Sequence, residues 1–278
     1  MSPSATSTTS AEVQFGTVPN PDWKFGDGSN HLDAASPSSS NPNDKAKDHT
    51  LIDPFAEDRT PPLNYGLLIS AITPRPIAFI STLSPDGKMA NLAPFSYFNM
   101  ITHDPPTFVV GFAHASTGPR DSYINVRDSK ECVINIISEH YIEAANSASI
   151  DTPYGTSEWN VAGLTADYSC ETVKPPRVKE AIFSIEAKLD SIKEIQSRSR
   201  PGRASAWLAV LEGTRFWVRN DALSEKKDYV SPEVLRPMAR MGGFLYSKTR
   251  ELLEMPRPQF EVDLGGAEGY KKLSNGGE

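Results

Sequence analysis

The sequence predicts a mainly β protein, a closed or nearly closed barrel with short peripheral helices. Three observations lead there. Apolar or alternating runs of strand length recur between residues 72 and 218. Turn signals separate them at Pro85-Asp86-Gly87, Asp104-Pro105-Pro106, Pro175-Pro176 and Pro201-Gly202. The helical patches between them are short, and no internal repeat is evident. Many strands with few helices must bury their faces against one another, which a sheet closed on itself achieves.

The elements follow in order. Residues 72–99 read as an apolar strand ending at Ser81-Thr82, a Pro-Asp-Gly turn, and a polar return segment. Residues 77–81, 107–112 and 132–137 are nearly continuous apolar runs, as in strands covered on both faces. Residues 182–190 alternate strictly: Phe183, Ile185, Ala187 and Leu189 against Ser184, Glu186, Lys188 and Asp190, the period of a half-buried strand. Residues 207–211 and 214–218 flank Glu212-Gly213, a bulge or a tight hairpin. Helices are expected at 121–127, after Gly118-Pro119, and at 138–148. A third starts at Ser231-Pro232-Glu233, with a cap and Pro at its first position. It carries Leu235, Met238 and Ala239 on one face and ends at Gly242-Gly243.

Composition trims the 278 residues to one domain. Residues 1–50 are mostly Ser, Thr, Pro, Asn, Asp and Gly, too poor in large apolar groups to repay the entropy of ordering, and are expected to be a disordered tail. Residues 265–278 are expected to be a flexible tail, leaving a domain over 54–262. A net charge of −7 and a pI near 5.4 argue against nucleic acid, whose phosphates require a basic surface. No apolar run is long enough for a membrane span, and the N-terminus lacks a secretory pattern. Cys132 and Cys170 have no metal-like spacing, which fits reduced thiols in a cytoplasmic protein.

The catalytic motifs that are missing narrow the chemistry. There is no GxGxxG, GxxxxGK[ST], HExxH or GxSxG, and the five histidines are scattered. No metal ligand set and no catalytic side chain stand out. Two segments carry binding chemistry instead. In the first, Ser81, Thr82, Asn91 and Ser96 place hydroxyl and amide groups on neighbouring strands, with Ala93 and Pro94 leaving room for a ring against the backbone. Each residue alone reads as a polar hairpin edge; together they suit a flat, polar-edged, phosphate-bearing ligand. The second is ASTGPRDSYIN, residues 115–125, a Gly-containing loop running into a helix start beside Arg120 and Ser122. It is either a phosphate site or an ordinary helix capped by Asp121.

These segments carry a resemblance. ITPRPIAFISTLSPDGKMANLAPFSYFN, then DPPTFVVGF, then RDSYINVRDSKECVINI, is similar to the flavin reductase-like family of FMN-binding split barrels, flavoredoxin-type members above all. RPMARMGGFLY and LLEMPRP resemble that group's C-terminal segment, so the likeness spans residues 64–258. It implies a six-stranded Greek-key split β-barrel, a homodimer with one FMN per subunit near the interface. By the same resemblance Ser81, Thr82 and Asn91 line the flavin and ribityl chain. Ala93, Pro94, Ser96, Tyr97 and Phe98 hold the isoalloxazine edge. Arg120, Asp121 and Ser122 match the element near the phosphate, Asn125 supports that loop, and Arg75 lies close to the flavin, with a strand-edge ion pair as its alternative.

The resemblance implies an oxidoreductase in which NADH or NADPH passes a hydride to FMN, and electrons go on to a partner or a monooxygenase. One segment departs from the family. Gly202-Arg203-Ala204-Ser205-Ala206-Trp207 lacks the expected His or Tyr, so the usual nicotinamide-side contacts are not matched. A flavoredoxin-like carrier without its own nicotinamide site is the alternative. Lys193, Arg198, Arg200 and Arg203 read either as a solvated loop or as a 2′-phosphate contact. Trp207 and Trp217 read as core or dimer interface, and Tyr154 and Trp159 as core or lid.

Overall fold

The structure is a computed structural model describing residues 12–29, 49–115, 118–153 and 155–275. The elements begin with β1 (Gln14–Gly16), α1 (Pro61–Ala71), β2 (Ala78–Leu83), β3 (Ala90–Phe95), β4 (Phe98–His103) and β5 (Pro106–Ala113). There follow α2 (Asp121–Ser129), β6 (Glu131–Ile136), α3 (Ile142–Ser147), α4 (Glu158–Ala162), β7 (Ala166–Asp167), β8 (Arg177–Val178), β9 (Phe183–Gln196) and β10 (Ala204–Val218). The last are α5 (Pro232–Leu235), β11 (Met238–Gly242), β12 (Leu245–Lys248), β13 (Glu251–Leu253) and α6 (Gly266–Asn275).

The chain divides into two compact units. The smaller is made of the described residues up to Pro54 together with 250–275. Of the expected N-terminal tail, residues 1–11 and 30–48 lie outside the described residues; β1, within that stretch, pairs in parallel with β13. Likewise α6 occupies most of the segment expected to be a flexible C-terminal tail, whose residues 276–278 lie outside the described ones. No helix of the described residues is long and apolar enough to cross a membrane.

The larger unit, Phe55–Thr249, holds a seven-stranded antiparallel sheet in the order β3-β2-β6-β9-β10-β5-β4. Its two edge strands, β3 and β4, are joined by Ser96 and Tyr97 alone. Edges that consecutive residues link must lie close together, so the sheet curls into a barrel. The Gly111 N–H of β5 donates to Tyr97 O at 2.7 Å across this closure. A Cβ at Gly111 would stand 3.0 Å from the Tyr97 Cβ, which explains the glycine. The return segment of the expected 72–99 hairpin is therefore two strands, and the second pairs with β5 at the far edge.

The inward faces supply the core. Ala78 and Ile80 of β2, Cys132 and Ile134 of β6, Val110 and Phe112 of β5, and Ala209 and Leu211 of β10 are fully buried there. Ile77 and Phe79, of opposite parity, pack outward with Leu92, Tyr141, Ala145, Trp159 and Met238. Burying each such large side chain contributes about 1.5–3 kcal/mol. The Cys132 thiol, sealed in the core, is pushed up to about 12 by burial and is unreactive.

One open reading is resolved and one expectation changes. β10 runs unbroken through Gly213, where the register with β9 shifts before Arg215, so Glu212-Gly213 is a bulge and not a hairpin. The helix begun at Ser231 is capped as expected, Ser231 Oγ accepting from Val234 N at 3.4 Å, but it ends at Leu235. Pro237 cannot donate and restricts Arg236, which turns to φ 42°. Met238 and Ala239 are then buried in β11.

The alternating strand of residues 182–190 is buried on both faces at Ser184–Ala187, because Glu186 is an internal acceptor. Its carboxylate takes Glu171 N–H at 2.9 Å, Thr172 N–H at 2.6 Å and Trp217 Nε1–H at 2.7 Å, with the Thr172 hydroxyl at 2.5 Å. Burial works to raise its pKa, but the donors outweigh it and hold the group below its usual 4.5. A depressed carboxylate adds stability above its unfolded pKa and loses it as pH falls through the folded value. Glu186→Gln is therefore expected to cost about 1–2 kcal/mol near neutrality, the scale of hydrogen bonds to a charged group. In urea titrations the deficit should shrink below the ordinary carboxylate range; an equal deficit at neutral and acid pH would contradict this role.

Candidate functional site

A cavity of about 810 Å³ opens beside β3. Small-molecule sites have this size. Along β3 and its exit it meets Asn91, Ala93, Pro94, Phe95, Ser96 and Tyr97. At about 3.3 Å per residue the six steps from Asn91 to Tyr97 span at most roughly 20 Å, so the cavity is long. β3 is an edge strand, and its free edge is dressed: Ser157 Oγ donates to Ala90 O at 2.6 Å, Glu158 Oε2 accepts from Leu92 N at 3.3 Å, and Pro94 has no N–H.

At the Asn91 end the cavity meets the start of α2, lined by Arg120, Asp121 and Ser122. Asp121, expected as the cap, is the first helical residue, its carboxyl turned to its own N–H; Arg120 is the N-cap and its side chain makes no capping hydrogen bond. The first N–H groups of an uncapped helix are unsatisfied donors carrying partial positive charge. Burial pushes the Asp121 carboxyl above its usual range, against the N–H of Gly155 and the nearby Arg120. Arg120 reaches Asp151 at 3.4 Å and is 43% exposed, so this ion pair holds it weakly.

Glu158 ties this end together. It is 5% exposed, and its Oε1 accepts from Thr152 Oγ1 at 2.7 Å. Oriented so that both amide atoms find complementary partners, Asn91 donates to Glu158 Oε2 at 2.8 Å and accepts from Ser122 Oγ at 2.8 Å. One relay thus joins β3, α2 and the 148–153 segment, which forms another wall.

At the Ser96 end stand Arg75 and Arg240. Among the described residues Arg75 makes no ion pair: its Nη1 donates to Ile69 O at 2.5 Å and Ile72 O at 2.7 Å, carbonyls at the C-terminal end of α1. Its backbone bridges that of Arg240, with N···O distances of 3.0 and 2.9 Å. Tyr65 and Ile69 of α1 line this end too. Burial, and then the neighbouring Tyr65, raise the Tyr97 phenol above its usual pKa.

Nine of the thirteen expected residues thus line one cavity: Arg75, Asn91, Ala93, Pro94, Ser96, Tyr97, Arg120, Asp121 and Ser122. Four do not. Thr82 is fully buried and accepts from Asn125 Nδ2 at 3.0 Å, so this pair fastens α2 to β2. Ser81 is fully buried beside it, its Oγ without a partner. Phe98 belongs to β4 and stacks on Phe108 at 6.2 Å, inside the barrel. Sequence reasoning missed Tyr65, Ile69, Gly111, Glu158 and Arg240. Trp159 is core, Trp217 serves Glu186, and Tyr154 lies outside the described residues. Among the described residues no group of three or more His, Cys, Asp or Glu could hold a metal.

The residues fit a long ligand with an anionic end. Uncapped helix N–H groups and Arg120 stand at one end, a guanidinium with an unpartnered Nη1 at the other, and small residues between. Comparison with known proteins agrees. A family model described as flavin reductase like domain matches residues 70–239. Among solved structures, nitrilotriacetate monooxygenase component B from Bacillus cereus is 28% identical, covering 74% of this chain and 100% of that one, with a TM-score of 0.68. The 2-nitrobenzoate 2-nitroreductase NbaA of Pseudomonas fluorescens is 27% identical, covering 76% and 98%, at 0.66. A Shewanella frigidimarina protein with a split barrel domain is 18% identical, covering 72% and 94%, at 0.61, and speaks to the fold alone. With its curled sheet and this match over well over half its length, the chain belongs to the flavin reductase like family and has its split-barrel fold.

Proposed function

We propose that the protein is an FMN-dependent oxidoreductase, with NADH or NADPH as hydride donor and a small molecule or a partner protein as acceptor. The observation that carries this is the cavity itself: an uncapped helix start with Arg120 and Ser122 at one end, and a ring-sized space against β3 toward the other. FMN, when bound, supplies hydride and electron transfer, which no side chain here can perform. The protein's part is to hold it. The α2 N–H groups and Arg120 take the phosphate; Ala93, Pro94 and Gly111 let a flat ring approach backbone; Tyr97 borders the ring. The likeness to a monooxygenase component and to a nitroreductase supports an acceptor beyond the flavin itself.

A homodimer belongs to this reading. α1 is apolar on several sides, with Leu63, Leu67 and Leu68 about half exposed, and its Tyr65 lines the cavity. A helix so apolar is normally covered. One observation favours the alternative of a flavoredoxin-like carrier: Trp207 is buried, stacked on Tyr123 at 4.2 Å, and the 204–207 segment contributes nothing to the cavity wall.

The test is a visible spectrum of the purified protein loaded with FMN, then anaerobic NADH or NADPH. Bound flavin that bleaches supports the reductase; bound flavin that does not supports the carrier; failure to bind any FMN removes both. Gel filtration of the same sample checks the dimer, and a monomeric holoprotein would refute it. Arg120→Ala is expected to weaken FMN by about 1.5 kcal/mol, roughly tenfold, the low end for a charged hydrogen bond because Arg120 is partly exposed. An unchanged Kd in fluorescence titration would move the phosphate elsewhere.

A further inference from the structure

Arg240 is the one cavity arginine whose guanidinium has no hydrogen-bond acceptor or ion pair assigned among the described residues. Arg120 meets Asp151 and Arg75 meets the α1 carbonyls. Arg240 instead lies over the Tyr246 ring, its Cζ 4.5 Å from the centroid, and its buried Nη1 has no partner among the described residues. The placement is deliberate in its construction. Arg240 and Tyr246 face each other across the β11–β12 pair, Tyr246 OH donates to Asn146 Oδ1 at 2.8 Å, and the Arg240 backbone is bridged to Arg75. A guanidinium stacked on an anchored tyrosine, on a backbone tied to its neighbouring strand, yet short of an acceptor, is built to meet an oxygen or an anion brought by a ligand.

Its position says which part of the ligand. Arg240 lies beside Arg75, whose Nε is 3.5 Å from Ser96 Oγ, while the helix start of α2 lies by Asn91. If the phosphate sits at α2, as the proposed function requires, the ring system reaches toward Arg240. Reduction by two electrons and one proton adds one net negative charge to a flavin ring, concentrated on its N1–C2 edge. A fixed cation there favours the reduced form over the oxidised one. We propose that Arg240 contacts the N1–C2 edge of the flavin and raises its reduction potential. This rests on the FMN reading.

The experiment is a spectroelectrochemical titration of the FMN-loaded protein, with dithionite as reductant, for the wild type, Arg240→Gln and Arg240→Lys. Arg240→Gln is expected to weaken the reduced form at least tenfold more than the oxidised form, a drop of about 30 mV in the two-electron potential. Arg240→Lys, which keeps the charge, should fall between the two. A Gln variant that binds FMN at the wild-type potential overturns the proposal, as does a Lys variant displaced as far as Gln. A second measurement needs no variant: 2-thio-FMN, with sulfur in place of the C2 oxygen, should bind the wild-type protein several-fold more weakly than FMN. Equal affinities overturn the contact even if both variants fold poorly. Wild-type protein that takes up no FMN at all fails differently, by removing the flavin reading on which the inference stands.

Discussion

Gly242→Ala is expected to destabilise the 55–249 unit by about 3 kcal/mol or more, the sum of backbone strain and overpacking. Gly242 ends β11 at φ +125°, a conformation side chains rarely adopt. A Cβ built there would lie 2.9 Å from Ile69 O and 3.1 Å from the Ser70 Cα. Both are backbone atoms of α1, so no side chain can swing away; helix and strand must separate. The separation reaches the site, because Tyr65 and Ile69 of α1 and Arg240 of β11 all line the cavity. Urea denaturation with FMN titration on the same variant should therefore show loss of both stability and affinity. A cost below about 1 kcal/mol would mean that α1 and β11 adjust freely, contrary to a close-packed contact.

Glu158→Ala is expected to lose about 2–3 kcal/mol of stability, since it strands buried donors that a carboxylate now satisfies. The Leu92 N–H, the Thr152 hydroxyl and the Asn91 amide all point at this one group. Without it the 148–153 wall loses its tie to β3, and Asn91 no longer holds Ser122 at the head of α2. On the proposed reading FMN binding should weaken too, through the loss of this support. The informative control is Thr152→Val, which removes one donor together with its need for a partner and should cost less, about 1 kcal/mol. Equal losses in the two variants would show that Glu158 does not organise the relay.

Much of this was legible in the chain. The strands β2 and β6 announce themselves as apolar runs because both of their faces are covered; β5 reads the same way, although only its Phe108, Val110 and Phe112 face is buried. β9 announces itself by alternation, although Ser184 and Glu186 of its polar set are buried as well. Other elements were hidden for physical reasons. β4 is largely exposed and carries no apolar face to read. α1 begins with two prolines, contains a glycine and shows no amphipathic period. The helix after Ser231 looked long because Met238 and Ala239 fall at helical spacing, yet Pro237 ends it first.

The site divides along the same line. Asn91 to Tyr97, and Arg120 to Ser122, are local clusters, and local spacing along a strand or a helix start carries their geometry. By itself the sequence determined the family, the barrel class and the two residue clusters that line one cavity. Tertiary structure alone decided that Phe98 turns into the core, that Thr82 and Asn125 hydrogen-bond each other, and that Glu158 is the knot between the walls. It also decided that Arg240, far along the chain from Arg75, becomes its neighbour. No local period encodes that pairing; it follows from where the curled sheet and the β11–β12 pair come to rest.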